Sequence, residues 1–239
     1  MKLTAQPLAN CVKTFDMFFS LVLLGCTPKV TTCPEGTVKI TGGEYRIGVE
    51  EPFQKWHEPA KTVTLEDYCI DIYEYPNQKG QIPKSNVSWE ESRDLCTAAG
   101  KRLCTGYEWE RACRGTENWR YSYGPHLDRT VCNTPIHGSG PGTNPPPIEP
   151  SGTYENCKSP EGVYDLNGSM SEWVSDSWSE FPEPFHRNAV VDPKEWRALR
   201  GGTMWSNTFY GMDCTSRHGH RKSDWRNMDD GFRCCADPS

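Results

Sequence analysis

The sequence predicts one loop-rich domain of mixed strands and short helices, stapled by disulfides, and three observations predict it. The first is 21 glycines and 19 prolines in 239 residues, a density that commits much of the backbone to turns. The second is nine tryptophans, ten tyrosines and eight phenylalanines in a chain of mean hydropathy −0.74. Disordered chains lack such aromatics and polytopic membrane proteins are far more apolar, so a few large side chains must organise a polar, irregular backbone. The third is twelve cysteines with no Cys-x-x-Cys pair, which favours an oxidising compartment and disulfides over zinc ribbons. With 26 basic against 32 acidic residues the formal net charge is −6. A nucleic-acid binder needs the opposite balance to neutralise phosphates, so no nucleic-acid partner is expected.

The chain opens on a leader pattern. Lys2 and Lys13 precede an apolar run from Phe15 to Cys26, about half the ~20 residues a spanning helix needs and the length of a signal-peptide hydrophobic region. Leu23-Leu24-Gly25-Cys26 resembles the bacterial lipobox, in which a branched aliphatic and a small residue precede the cysteine that receives lipid. Residues 1–25 therefore read as a lipoprotein-type signal peptide, Cys26 as the lipidated membrane anchor, and 26–36 as a tether. An ordinary secretory signal is the other reading, since Asp16 interrupts the apolar run. The expected location is extracytoplasmic, anchored to a bacterial membrane on the periplasmic side or at the cell surface.

No repeat or linker interrupts residues 37–239. Val38-Lys39-Ile40, a Gly42-Gly43 turn and Glu44 to Gly48 read as strand, turn, strand, and Val63 to Glu74 alternates as another strand. Ser88 with Glu91 three residues on is a capping-box signature; Trp89, Leu95 and Cys96 give the following helix its apolar face, and Gly100 stops it. Thr105 and Glu108 repeat the signature for a second helix, with Trp109, Ala112 and Cys113 facing inward and Gly115 at its end. Turn residues dominate from Tyr121 to Pro160, and Cys132 and Cys157 bracket this stretch as an expected staple. Gly162 to Gly168 opens the next ordered piece. Ala198 to Arg200, the Gly201-Gly202 pair and Thr203 to Trp205 read as strand, turn, strand, and Gly231 to Ala236 closes the chain.

Six pieces, in this order, resemble the formylglycine-generating enzyme (sulfatase-modifying factor) family. They are Gly42-Gly43-Glu44-Tyr45-Arg46-Ile47-Gly48; Val87-Ser88-Trp89; Ala99-Gly100-Lys101-Arg102-Leu103 with Thr105 and Glu108-Trp109-Glu110; Gly162-Val163-Tyr164-Asp165-Leu166-Asn167-Gly168 with Glu172-Trp173; Arg200-Gly201-Gly202; and Gly231-Phe232-Arg233. The resemblance implies a single α+β domain over 37–239, with a loop-rich, C-type-lectin-like fold. It also implies two disulfides, Cys96–Cys234 and Cys113–Cys214, each closing about 100 residues and worth about 4–5 kcal/mol in the loop-entropy account. Cys132–Cys157 is expected from position alone. The connectivity of Cys33, Cys69, Cys104 and Cys235 stays open.

The resemblance further implies structural calcium. Asp165, Gly168, Met170 and Glu172 match one site, two carboxylates and two carbonyls giving the hard oxygen donors calcium takes. Asn133 with the Thr134 carbonyl matches part of a second. The family activity, oxidation of a cysteine to formylglycine, uses cuprous copper held by two cysteines, and thiolates suit that soft ion. Those cysteines lie three and eight residues past the serine of the Gly-Gly-Ser motif. Here the serine is Thr203 and the two positions are Ser206 and Gly211, so copper is not expected.

The other motifs lead less far. His218-Gly219-His220 would share a strand face and could hold a metal, but beside Arg217, Arg221 and Lys222 they read as a solvated basic loop. Trp173, Trp178, Trp205 and Trp225, with Arg200 and Arg217, could line a groove; Trp173 and Trp205 read better as core. The candidate active-site region is therefore Thr203, Trp205, Ser206 and Arg217, with no catalytic residue assigned. The expected function is an exported, diverged family member that binds a protein or peptide at the cell envelope. The alternative is an active oxidoreductase that modifies cysteine or other side chains of exported proteins.

Overall fold

In the computed structural model, residues 31–51, 57–134, 147–177, 196–204 and 211–239 are described. The leader, Cys26 and the start of the tether lie outside the described residues, as do Trp178, Trp205 and Ser206. Among the described residues no helix is long and apolar enough to cross a membrane.

Three small sheets carry the fold. The first has the order β1 (Thr37–Ile40), β4 (Tyr68–Asp71), β10 (Cys234–Ala236), β5 (Arg102–Leu103), all antiparallel. The second is β2 (Gly43–Ile47) on β3 (Lys61–Leu65). The third runs β8 (His218–Lys222), β7 (Trp196–Arg200), β6 (Ser171–Ser177), β9 (Asp230–Phe232), with β6 and β9 parallel. The expected strand from Val63 to Glu74 is thus two strands in different sheets. Asp67 breaks it: its Oδ1 accepts from Gly42 N at 2.8 Å, a turn that hands the chain across. For the same reason the Gly42-Gly43 turn does not make a hairpin, since β1 pairs with β4 and β2 with β3. After β7, Gly201 and Gly202 take φ of 89° and 71° and lead the chain out of the sheet, so the second strand expected there does not continue through Met204. His218 to Lys222, expected as a basic loop, is the edge strand β8.

The helices follow from their caps. In α1 (Trp89–Ala98), Ser88 Oγ accepts from Glu91 N at 3.1 Å, while the Glu91 carboxylate turns outward to Lys84 and Arg226. In α2 (Gly106–Arg114) the box is complete, with Thr105 Oγ1 on Glu108 N and Glu108 Oε2 on Thr105 N. Trp109 of α2 is fully buried.

Alternate residues of a strand face opposite sides, and the fold uses this at Cys234 and Cys235. Cys234 bridges to Cys96 of α1 and packs with Val87, Leu103, Trp173, Leu199 and Phe232. Cys235 bridges to Cys104 and packs with Ile40, Ile70, Trp109 and Val174. Two adjacent cysteines thereby fasten two core layers on either side of one short strand. Cys33–Cys69 ties the tether to β4, Cys113–Cys214 ties α2 to the segment after 211, and Cys132–Cys157 staples the long loop.

Candidate functional site

The site is built where β7 ends. Arg200, fully buried, points its guanidinium at the start of α2: Nη2 donates to Gly106 O at 3.0 Å and to Glu110 Oε2 at 3.2 Å, and Nη1 to Cys214 O at 3.2 Å. It is a structural pin and does not line a groove; Trp173, likewise buried, donates to Val87 O at 3.0 Å. Beyond Arg200 the backbones of Gly202 and Gly211 touch. A Cβ on Gly202 would stand 2.5 Å from Gly211 O, and at φ 71° only glycine is unstrained. This contact closes the ends of the 203–210 segment. Met204 N donates to Ser169 O at 3.0 Å and Asn167 Nδ2 to Met212 O. Thr203 is half-buried and Met204 buried.

A buried polar network holds the far side of this closure. His57 Nε2 lies 3.1 Å from Asp213 Oδ2, with Ser216 Oγ and Thr215 Oγ1 each donating to Asp213 Oδ1 at 2.8 Å. Burial opposes ionisation of Asp213, but the bonds from His57, Ser216 and Thr215 outweigh it and hold its carboxyl below the usual range. Next in sequence, Arg217 pairs with Glu58. Burial pulls the Arg217 guanidinium down to about 9, still well above neutrality, so it stays charged. Lys61 Nζ reaches Glu58 Oε1 at 2.5 Å and lies 4.7 Å above the Tyr107 ring, with Arg217 at 5.3 Å. Lys61 and Tyr107 reach the surface here, while Arg217 is buried on Glu58; Cys214, three residues before Arg217, is bonded to Cys113. No described cysteine is free, so the described residues here offer no thiol ligand. Sequence reading missed His57, Glu58 and Asp213, which carry no local signal.

The expected calcium residues lie beside this closure. Glu172 accepts from Arg233 through both oxygens and from Trp109 Nε1 at 2.9 Å. Asp165, at φ 59°, accepts from Gly152 N at 2.7 Å. Burial, with the Glu172 charge, pushes its carboxyl up to about 6. Glu74, also buried, is pushed well above the usual carboxylate range by burial and by the charges of Asp165 and Glu172. Three buried carboxylates thus face one guanidinium. Glu74 Oε1 and Asn133 Oδ1 are buried without a hydrogen-bond partner. Asn133 O accepts from Ser169 N at 2.9 Å, and Thr134 Oγ1 donates to Arg129 O. No described cluster of three His, Cys, Asp or Glu side chains could hold a metal, but a site rich in backbone carbonyls needs none. Asp165 thus sits in a negative surplus, and Asn133 of the second expected site keeps a buried side-chain oxygen without a partner.

The sulfatase-modifying factor enzyme 1-like domain model matches residues 75–238. The formylglycine-generating enzyme of Mus musculus is 31% identical over 173 residues, 65% of this chain and 44% of that protein. The inactive C-alpha-formylglycine-generating enzyme 2 of Bos taurus is 27% identical over 181 residues, 66% of this chain and 52% of that protein. The chain spans about half the length of the curated relatives it matches. Among solved structures, PvdO from Pseudomonas aeruginosa superposes with a TM-score of 0.64 at 19% identity, over 84% of this chain and 94% of that one, a likeness of fold.

Proposed function

The chain belongs to the sulfatase-modifying factor enzyme 1-like family, and from that premise we propose that it is an exported member that has lost copper chemistry and binds a protein or peptide partner at the cell envelope. The lipid on Cys26 is its membrane anchor. The partner lies across the closure at Gly202 and Gly211, against Lys61 and Tyr107. Calcium at Asp165, with Gly168, Met170 and Glu172, braces the loop beneath; the Asn133 and Thr134 pair takes a second ion.

One observation carries the reading. Gly211 stands where the second soft donor belongs, and Cys214, the nearest sulfur, is committed to Cys113. The inactive bovine relative is a family member already named for lack of activity. The test is metal quantification and oxygen uptake by the purified protein with cysteine-containing peptides. No copper-dependent uptake is expected. Turnover with one copper per chain would overturn the reading.

A further inference from the structure

The five bridges differ in how their partners are ordered along the chain. Cys33–Cys69 and Cys132–Cys157 each join cysteines that follow one another in the sequence. Cys96–Cys234, Cys104–Cys235 and Cys113–Cys214 do not, and their partners stand 138, 131 and 101 residues apart. Cys96, Cys104 and Cys113 themselves are close neighbours, eight and nine residues apart. In an unfolded chain the chance that two sites meet falls as about the three-halves power of the loop between them. Cys104 therefore meets Cys96 roughly fiftyfold more often than it meets Cys235.

Local structure does not hold these thiols apart before the C-terminal residues arrive. α1 and α2, which carry Cys96 and Cys113, have ten and nine residues, too few to persist alone in water. Among the described residues β5, next to Cys104, pairs with β10 alone. β10 then poses a second choice. Cys234 and Cys235 are adjacent, so loop length does not separate the native pairs from the exchanged ones, Cys96 with Cys235 and Cys104 with Cys234. The strand register does: Cys234 lies opposite Leu103 and Cys235 opposite Arg102, and a slip of one residue would turn each sulfur to the wrong core layer. Correct pairing is thus decided by a folded strand, after the first bonds have had time to form.

We propose that this chain is a substrate of a thiol–disulfide isomerase, which acts on Cys96, Cys104 and Cys113 before their native partners are in place. The first bonds form as a disulfide oxidant takes two electrons and two protons from each pair of thiols. The isomerase thiolate attacks a Cys96–Cys104 or Cys104–Cys113 bond, making a mixed disulfide and releasing one protein thiolate. The thiolate of the native partner then attacks the mixed disulfide and displaces the isomerase, with no net oxidation. Where that partner is still absent, a second isomerase thiol completes the reduction and itself takes the disulfide, so the early sulfurs stay open until residues 214–235 arrive. Burial ends the exchange, because the six cysteines of the three long bridges are at most 1% exposed and no outside thiolate reaches them. The inference goes beyond the partner-binding reading and depends neither on lipid at Cys26 nor on the loss of copper.

The full chain carrying Cys11→Ser and Cys26→Ser keeps only the ten bridged cysteines and serves as the probe. It is reduced, unfolded and diluted into diamide alone, into reduced with oxidised glutathione, and into the same glutathione pair with protein disulfide isomerase. Remaining thiols are alkylated and the bonds mapped by mass spectrometry of unreduced peptides. Diamide alone is expected to give mainly Cys96–Cys104 and Cys104–Cys113 bonds, and the isomerase mixture about tenfold more of the native map. Equal native pairing in diamide alone, or non-native bonds that spare Cys96, Cys104 and Cys113, overturns the proposal. Should the reduced chain aggregate, the same variant exported behind a cleavable leader, in a bacterium with and without its periplasmic disulfide isomerase, decides by the same map. Native pairing should fall several-fold without the isomerase, and equal pairing in the two hosts overturns the proposal. The oxygen-uptake result bears on none of these outcomes.

Discussion

Arg233 and Glu172 form a buried two-pronged ion pair, Nε to Oε2 and Nη2 to Oε1, each at 2.7 Å. Both side chains are essentially inaccessible. Glu172 belongs to β6 in the third sheet and Arg233 leads into β10 in the first, so the pair joins the two. Arg233 also donates to Asp71 O, Ile72 O and Tyr164 O, spending its whole donor fork.

Removing one partner leaves the other charge buried. Glu172→Gln is expected to cost about 3–5 kcal/mol, read as a lower urea midpoint at unchanged m-value. Replacing both by apolar residues of similar volume should cost less than the single change. Equal costs would show that the pair is not the energetic unit.

Glu74 and Asp165 set a pH dependence. Both carboxyls sit above their unfolded values of 4.5 and 3.8. Their protonated forms therefore contribute stability that is fully present below those values and is lost as pH rises through about 6 for Asp165 and higher for Glu74. Without calcium, Tm should fall from pH 4 to pH 7 and the slope should flatten in Glu74→Gln. A slope of unchanged size in that variant would clear Glu74 of the effect.

Calcium should act in the opposite sense, because a cation replaces the protons that these carboxyls otherwise keep. Chelator is expected to lower Tm more at pH 7 than at pH 5, and to do little in Asp165→Asn. No chelator effect at pH 7 would remove calcium from the description.

Gly202 tests the closure of the candidate site. Gly202→Ala places a Cβ against the Gly211 carbonyl at a φ of 71°. It should cost about 2–4 kcal/mol. Gly100→Ala shares the positive φ, 70°, but meets nothing within 4 Å, and should cost only about 1 kcal/mol. Similar losses in the two would mean that the approach of the two backbones carries no weight.

The bridges differ in reach. Cys104–Cys235 spans 131 residues and Cys132–Cys157 spans 25, which the loop-entropy account converts to about 5 and about 3.5 kcal/mol. The remaining bridges shorten the effective loops, so both are ceilings. Paired Cys→Ser variants compared in thermal melts should keep this order.

What could be read from the sequence was what is set locally. Ser88, Thr105, Gly100 and Gly115 mark the helices because a cap needs only its own turn. The break at Asp67 was hidden, since its partner Gly42 lies 25 residues away and alternation continues across the turn. The charged interior was hidden for the same reason. Arg233 and Glu172 are 61 residues apart, and His57 and Asp213 are 156 apart. A lone charge in a hydrophilic chain reads as a solvated face until its partner is brought to it. The reading of Ser206 and Gly211 as lost donors is of another kind, since it rests only on residue identity at matched positions.

β10 is central in its sheet, between β4 and β5, although it comes within the last few residues of the chain. The strands and helices that precede it must therefore wait, incompletely paired, until residues 234–236 have been made. Premature release, or a nonsense codon just upstream of Cys234, would leave a gap in the middle of the sheet where two sulfur partners remain unoxidised, and quality-control proteases should clear such a product.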